Sequence, residues 1–233
     1  MSKIRDTFAY SVGKKLIMAL TGLFLITFLI EHLIGNMLLL LETDEWFLLY
    51  AEIMGSTANI PIRIMEVMIF VGFIFHIVDG LLLARANGKA RPQKYAVKAG
   101  SKNSTWFSRN MHWTGIVILV FLVLHLISFF IEARFGIDVD ITGTKGEYME
   151  GDHVNLYDKV HAHFSVLWYV IIYVLSMVFL AFHLNHGFQS AFQTVGWRHK
   201  KYFPAIKMAG TIFAWLWPLG YAAIPLIIYI KGL

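Results

Sequence analysis

Long apolar stretches alternate with shorter polar segments along the whole chain. Five of these stretches are long, and they cover approximately residues 16 to 41, 62 to 84, 112 to 133, 164 to 186 and 208 to 230. A helix rises about 1.5 Å per residue and the hydrocarbon core of a bilayer is roughly 30 Å thick, so each stretch can span a membrane. The pattern predicts an all-α integral membrane protein, with five transmembrane helices in a single membrane domain over residues 1 to 233.

Basic residues are concentrated in the segments that would share one side of the membrane. Of the 20 lysines and arginines, 15 precede span one, lie between spans two and three, or lie between spans four and five. The other two connections carry acidic residues such as Glu52 and Asp138. The positive-inside rule therefore predicts a cytoplasmic N-terminus in the cell's cytoplasmic (inner) membrane. The basic segments suit either anionic lipid or a soluble cytoplasmic partner.

Composition narrows the possible chemistry. Hydrophobic residues make up 58% of the chain and the mean hydropathy is +0.62, as in a membrane protein. There are no cysteines, which excludes disulfides, iron-sulfur clusters and c-type haem attachment within this chain. No internal repeat or separate soluble domain is evident, and residues 136 to 163 form the one long extramembrane segment expected on the outer side.

Histidines occur in four of the five predicted spans. His32, His76 and His125 lie in spans one to three, His183 and His186 lie in span four, and span five has none. An ionisable side chain in hydrocarbon is costly and marks a functional site by default. From the rise per residue, His32 and His125 fall in the outer half of the membrane and His76 and His183 in the inner half, which predicts two pairs at two depths.

Such pairs suit haem. Two neutral imidazoles that face each other across a four-helix core provide both axial ligands of a six-coordinate b-type haem, which carries electrons. Two pairs predict two haem b groups, and we expect each ligand to donate its other ring N–H to a carbonyl one turn back. A zinc or proton-transport site would instead gather its ligands at one depth. Spacing alone does not exclude His186 as the fourth ligand, because it lies about 60° around the helix from His183.

Four segments carry a family resemblance. They are GLFLITFLIEHL (22 to 33), IFVGFIFHIVDG (69 to 80), HWTGIVILVFLVLH (112 to 125) and FHLNHGF (182 to 188). In order and spacing they resemble the dihaem cytochrome b membrane anchor of succinate:quinone oxidoreductases, the succinate dehydrogenases and fumarate reductases with a single five-helix anchor. In that family the fourth-span ligand is followed four residues later by glycine and then a bulky apolar residue. The match to Gly187 and Phe188 makes His183 the implied ligand.

The resemblance implies a function. Electrons from succinate would pass through a flavoprotein and an iron-sulfur subunit docked on the cytoplasmic side, then through the inner and outer haems to a membrane quinone. Menaquinone is the expected species, and the reverse reaction would reduce fumarate. The chain would be the non-catalytic electron-transfer subunit, in contact with lipid, with a dimer of complexes as one arrangement and no nucleic-acid partner.

Other polar residues near the span ends are weaker candidates. Glu31, Arg63 and Glu66 would serve quinone binding or proton transfer at the outer side, although interfacial salt bridges are an alternative interpretation. The candidates for contacts with haem propionates are Lys14, Lys15, Arg109, His112 and His186, with a plain interfacial role as the alternative.

Two other functions are compatible with the sequence. One is the dihaem cytochrome b anchor of a hydrogenase, formate dehydrogenase or nitrate reductase, which would differ in its partners. The other is a haem-free membrane transporter, which would be colourless when purified.

Overall fold

The computed structural model describes residues 11–89, 110–150 and 153–232. These residues contain eight α-helices: α1 (Ser11–Asn36), α2 (Glu45–Gly55), α3 (Ile60–Lys89), α4 (Met111–His125), α5 (Ile131–Phe135), α6 (Leu156–Phe164), α7 (Leu167–Thr194) and α8 (Phe203–Gly232). A 3-10 turn at Met37–Leu40 follows α1, a π-helical turn at Leu126–Phe130 joins α4 to α5, and a second 3-10 turn covers Lys145–Glu147. Two short antiparallel strands, β1 (Met149–Glu150) and β2 (His153–Val154), complete the described part.

Within the described part of the chain, five helical segments are long and apolar enough to cross a membrane. They are Gly13–Leu40, Ile60–Ala86, Met111–Phe135, Leu167–Thr194 and Phe203–Gly232. The prediction of an all-helical, multi-pass membrane protein with five spans is therefore confirmed in number and in order. Two proline residues, Pro218 and Pro225, lie inside the fifth of these helices.

Span four begins and ends later than its approximate predicted limits. Residues up to Phe164 belong to a separate short helix, α6, whose first turn is capped by the Asn155 side chain, which accepts hydrogen bonds from the backbone N–H groups of Tyr157 and Asp158 at 3.0 and 3.3 Å. Such a cap satisfies N–H groups that have no partner within the helix. After a turn at 165 to 166, α7 begins at Leu167 and runs to Thr194, eight residues beyond His186.

Residues 136 to 163 and the connection between spans one and two contain more structure than the pattern predicted. Helix α2 presents Trp46, Leu49 and Ile53 on its exposed surface and buries Phe47. Apolar residues at this spacing form one stripe on a helix, as in a helix that lies along a membrane surface. Helix α6 and the short strands occupy the later segment.

The chain divides into two structural units, and each of the five long spans contributes to both. The first unit comprises residues up to Phe28, Val67–Ile116 and Leu180–Trp215. The second comprises Leu29–Glu66, Val117–Phe179 and Leu216–Leu233. We name them by the histidines that each contains, the His76–His183 unit and the His32–His125 unit.

Close helix contacts in the His76–His183 unit depend on small residues. A Cβ atom added at Gly72 would lie 3.1 Å from the Phe24 ring, and one at Gly210 would overlap the Phe188 ring. A polar contact adds to this packing, since Thr211 donates a hydrogen bond to the Asn185 side chain at 3.1 Å. Small residues that allow close backbone approach are the usual means of packing helices in a membrane.

A buried ion cluster lies in the His32–His125 unit. The Lys159 ammonium group is fully buried, 2.7 Å from Asp138 Oδ1, and the Tyr148 hydroxyl donates to the same oxygen at 3.2 Å. Lys145, which is exposed, lies 3.0 Å from the other Asp138 oxygen. Burial alone would raise the pKa of Asp138, but hydrogen bonds from the two lysines hold this pKa below its usual value. The cluster ties α6 to the segment that follows α5.

We predict different costs for removing the two lysines. Lys159→Met removes the fully buried partner of the half-buried Asp138 carboxylate, so the free energy of unfolding in detergent should fall by about 3 kcal/mol. Lys145→Met removes an exposed partner of the same carboxylate and is the matched control, with an expected loss within about 1 kcal/mol. Denaturant titration followed by circular dichroism would measure both, and equal losses would contradict the assignment of Lys159 as the main partner.

Candidate functional site

The four predicted ligand histidines meet in two pairs. In the His76–His183 unit the centroids of the two imidazole rings lie 6.1 Å apart with an interplanar angle of 67°. In the His32–His125 unit the centroids lie 5.7 Å apart with an angle of 88°. Each pair therefore comes from two different spans, α3 with α7 and α1 with α4, as the sequence pattern predicted.

The distance between the two imidazole rings of each pair fits a single metal ion bound between them. Imidazole nitrogens bind first-row transition metals at about 2.0–2.1 Å, so two imidazoles on opposite sides of one ion have ring centroids about 6 Å apart. Both observed separations match this value. With imidazole as the ligand and no cysteine in the chain, the residues of each pair fit the ligand set that a bis-histidine b-type haem would need.

Threonines on neighbouring helices contact both imidazoles of the His76–His183 pair. Thr21 Oγ1 lies 3.3 Å from His76 Nδ1, and Thr114 Oγ1 lies 3.4 Å from His183 Nδ1. The Thr21 hydroxyl donates its own hydrogen to the Ile17 carbonyl, and the Thr114 hydroxyl donates to the Met111 carbonyl, both at 2.8 Å. The hydroxyl oxygen is then an acceptor for the imidazole.

These contacts select a tautomer. Because each threonine hydroxyl accepts a hydrogen bond from its imidazole, the imidazole proton lies on Nδ1. The Nε2 atom then keeps its lone pair for a ligand bond. The expected partner, a carbonyl one turn back on the histidine's own helix, is wrong for these two residues. The observed hydroxyl lies on the adjacent helix, where a glycine next to the threonine brings that backbone close to the ring.

A longer hydrogen-bonded chain orients His125. Its Nδ1 lies 3.2 Å from the Tyr173 hydroxyl, which lies 3.0 Å from the Tyr169 hydroxyl. Tyr169 donates to Ser128 at 2.7 Å, and Ser128 donates to the Leu124 carbonyl at 2.8 Å. Because the Tyr169 hydroxyl donates its hydrogen to Ser128, it can only accept from the Tyr173 hydroxyl. Tyr173 therefore accepts a hydrogen bond from the Nδ1–H of His125. The proton again lies on Nδ1 and the Nε2 lone pair remains for a ligand bond.

The fourth histidine, His32, lies among different groups. The Asn36 amide nitrogen donates to the His32 carbonyl at 2.7 Å and lies 3.4 Å from His32 Nδ1. The Tyr221 ring lies 6.0 Å from the imidazole, and its hydroxyl donates to the Leu29 carbonyl at 2.6 Å. Tyr221 thus holds α8 against the turn of α1 that precedes His32.

The structure separates the two histidines of FHLNHG. His183 is the residue that faces His76. His186 follows on α7 and is half-buried within the same unit. This placement agrees with the choice of His183 as the ligand, and the propionate contact assigned to His186 stays a prediction.

Comparisons with models of known protein families, with curated proteins and with solved structures find no match to this chain. The proposed function therefore rests on the geometry of the site.

The three residues predicted for quinone binding or proton transfer lie in the His32–His125 unit. Glu31 is exposed on α1 and accepts a hydrogen bond from the Tyr50 hydroxyl at 2.7 Å. Burial and the Glu31 carboxylate both raise the pKa of Tyr50, so this phenol stays protonated. Arg63 forms an ion pair with Glu66 and also donates to the Met54 carbonyl.

Glu66 is shared between two arginines. Besides Arg63, the Nε of Arg134 lies 3.2 Å from Glu66. The alternative interpretation of Arg63 and Glu66 as a salt bridge is therefore what the structure shows, and it links α3 to α5. A role for either residue with quinone stays a prediction.

The residues predicted to contact propionates are placed in part. Lys14 is half-buried, and Lys15 and His112 are exposed; all three belong to the His76–His183 unit. The His112 ring packs 5.2 Å from the Trp113 ring. Arg109 lies outside the described residues. The propionate role of these residues stays a prediction.

We predict that Tyr173→Phe alters the reduction potential of the haem that His32 and His125 would hold. Loss of the acceptor removes a hydrogen bond worth about 1 kcal/mol, which makes the imidazole a weaker donor and should raise the reduction potential by roughly 40 mV for one electron. Potentiometric titration followed by absorbance would measure the shift.

Tyr229→Phe is the matched control for this variant. Tyr229 packs against the same apolar core as Tyr173 and should leave both potentials unchanged. An equal shift in both variants would indicate a general packing effect, and it would remove Tyr173 from the ligand's hydrogen-bonded chain.

Proposed function

We propose that this chain is the dihaem cytochrome b membrane anchor of a succinate:quinone oxidoreductase, with its N-terminus on the cytoplasmic side of the cytoplasmic membrane. It carries electrons between a flavoprotein and iron-sulfur pair and a membrane quinone. The observation that supports this most directly is the presence of two histidine pairs, drawn from four spans, with ring centroids 5.7 and 6.1 Å apart.

The two histidines of each pair would hold one b-type haem. A haem held in this way would supply a one-electron carrier. The neighbouring threonine and tyrosine hydroxyls hold the Nδ1–H of His76, His183 and His125, so each Nε2 stays unprotonated and directed to the ligand position. The apolar spans keep water from the site.

The distribution of exposed charged side chains supports the docking of partner proteins on the side of the membrane that carries the N-terminus. In the His76–His183 unit the exposed side chains include Lys15, Arg85, Arg198, Lys200, Lys201 and Lys207. In the His32–His125 unit the exposed side chains include Glu42, Glu45 and Glu52. This difference favours the cytoplasm for the His76–His183 unit by the positive-inside rule, and a cationic surface suits an acidic partner protein.

Glu31 and Tyr50 support quinone chemistry near the second pair. Glu31 is an exposed carboxylate within a membrane span, one residue from His32, and Tyr50 supplies a protonated phenol beside it. A carboxylate accepts or delivers the protons that accompany quinone reduction or quinol oxidation. Menaquinone is the proposed substrate.

We predict two haem b groups per chain. A dithionite-reduced minus oxidised spectrum with pyridine haemochrome quantitation on the purified protein should give this ratio. His32→Ala, His76→Ala, His125→Ala and His183→Ala should each lose or disrupt one haem, because each removes one axial ligand.

His186→Ala is the control for the four variants, since His186 lies on the same helix as His183 without facing His76, and both haems should remain. A colourless wild-type protein would indicate a transporter. Copurification of a flavoprotein and an iron-sulfur protein supports the proposed complex, whereas a molybdenum or nickel protein would show the anchor of a formate dehydrogenase, nitrate reductase or hydrogenase.

A further inference from the structure

The segments before His32 and His125 repeat one sequence. Residues 18 to 34 read MALTGLFLITFLIEHLI and residues 111 to 127 read MHWTGIVILVFLVLHLI. Eight of the 17 aligned positions are identical, including the methionine, the Thr-Gly pair and the histidine. The expectation that the chain has no internal repeat is therefore wrong. The repeat escapes notice because most of the other aligned positions exchange one apolar residue for another.

A shorter repeat occurs in the partner helices. FHIVDG at 75 to 80 aligns with FHLNHG at 182 to 187, with the phenylalanine, the histidine and the glycine identical. The order is the same in both halves, a Thr-Gly helix followed by a His-x-x-x-Gly helix. The chain thus contains two equivalent helical hairpins, formed by α1 with α3 and by α4 with α7.

The contacts within the His76–His183 unit repeat as well. A Cβ added at Gly22 would lie 3.2 Å from His76 Cε1, and one at Gly115 would lie 3.5 Å from His183 Cε1. A Cβ added at Gly80 would lie 3.4 Å from the Met18 methyl group.

The second hairpin has the same methionine contact, since a Cβ at Gly187 would lie 3.5 Å from the Met111 methyl group. The two hydroxyl contacts to Nδ1 differ by only 0.1 Å, at 3.3 Å for Thr21 and 3.4 Å for Thr114. Sequence and geometry therefore agree on the equivalence.

We propose that Thr21 and Thr114 are equivalent positioning residues, each fixing the tautomer and ring orientation of one axial ligand of the haem between His76 and His183. The proposal rests on the haem assignment above and goes beyond it. A glycine follows each threonine and lies against the same ring. Each hydroxyl donates to a carbonyl of its own helix, and this fixes the hydroxyl as the acceptor.

The equivalence ends in the His32–His125 unit. Four residues after His32 stands Asn36, which lies beside the imidazole, whereas four residues after His125 stands Phe129. Tyr173, the partner of His125, aligns with Glu66, which pairs with Arg63 and Arg134. Only one haem site is thus built from two copies of the same threonine contact.

The test compares Thr21→Val, Thr114→Val and the double variant with the wild-type protein. Valine keeps the shape and removes the acceptor, so the imidazoles become weaker donors. We expect the His76–His183 haem to shift to higher potential in each single variant, further in the double variant, with a changed low-spin ferric signal in electron paramagnetic resonance. The His32–His125 haem should not shift. The single-histidine variants identify which signal belongs to which pair.

Two further variants make the test specific. Thr21→Ser and Thr114→Ser retain the hydroxyl and should restore the wild-type potential and signal. Thr27→Val is the matched control on the same helix, because Thr27 is exposed, donates to the Phe24 carbonyl at 2.7 Å, and aligns with Val120 in the second hairpin. It should leave both haems unchanged.

The outcomes distinguish this inference from the proposed function. Wild-type protein without haem would overturn both. Two haems in wild type with no shift in the valine variants, or with equal shifts of both haems, would overturn the threonine assignment alone. If a valine variant loses the haem, recovery in the serine variant supports the hydroxyl contact and failure to recover contradicts it.

Discussion

An imidazole inside a membrane span needs an acceptor for its N–H group. Water is not available there, and an unsatisfied polar group in hydrocarbon costs several kcal/mol. The structure meets this need for His76 and His183 with threonines, and for His125 with Tyr173. Each acceptor lies on a neighbouring helix, so the same contact that satisfies the histidine also sets which helices are adjacent. The helix arrangement around each pair follows from this requirement.

A glycine lies beside each threonine contact. A Cβ atom added at Gly22 would lie 3.2 Å from His76 Cε1, closer than an ordinary contact, so a side chain there would disturb the packing. A Cβ atom added at Gly115 would lie 3.5 Å from His183 Cε1, an ordinary van der Waals distance. The two hairpins supply the same threonine acceptor to both histidines of the His76–His183 unit. In the His32–His125 unit the groups around the two histidines differ. The π-helical turn that begins directly after His125 marks the difference, because it places Ser128 against the Leu124 carbonyl and within reach of Tyr169.

The hydropathy pattern predicted the number and order of the spans, since a run of about 20 apolar residues has few alternatives to crossing a membrane. It also predicted both histidine pairs, because depth follows directly from the rise per residue. It did not predict α2 or α6, whose limits depend on local caps such as Asn155. Thr21, Thr114 and Tyr173 were missed because tertiary packing, which apolar periodicity does not encode, brings them to the rings. The repeated Thr-Gly pair, at the same distance from His32 and His125, is the signal that would have identified the threonines.

The direction of the hydrogen bonds limits what the ligand histidines do. The bonds from His76 and His183 pass through one threonine hydroxyl each and end on Ile17 and Met111 carbonyls. The chain from His125 is longer but ends in the same way, on the Leu124 carbonyl. A carbonyl has no proton to pass on, so these chains hold protons in place.

In the proposed function the imidazoles would therefore remain neutral while electrons pass, and the protons of quinone chemistry would move through other groups. Glu31 meets that requirement, because its carboxylate is exposed beside a protonated Tyr50 and is not committed to an ion pair with either arginine that holds Glu66. The hydrogen bonds thus assign different roles to the two kinds of side chain. Histidines whose protons are held in place suit electron transfer, and an accessible carboxylate suits proton exchange.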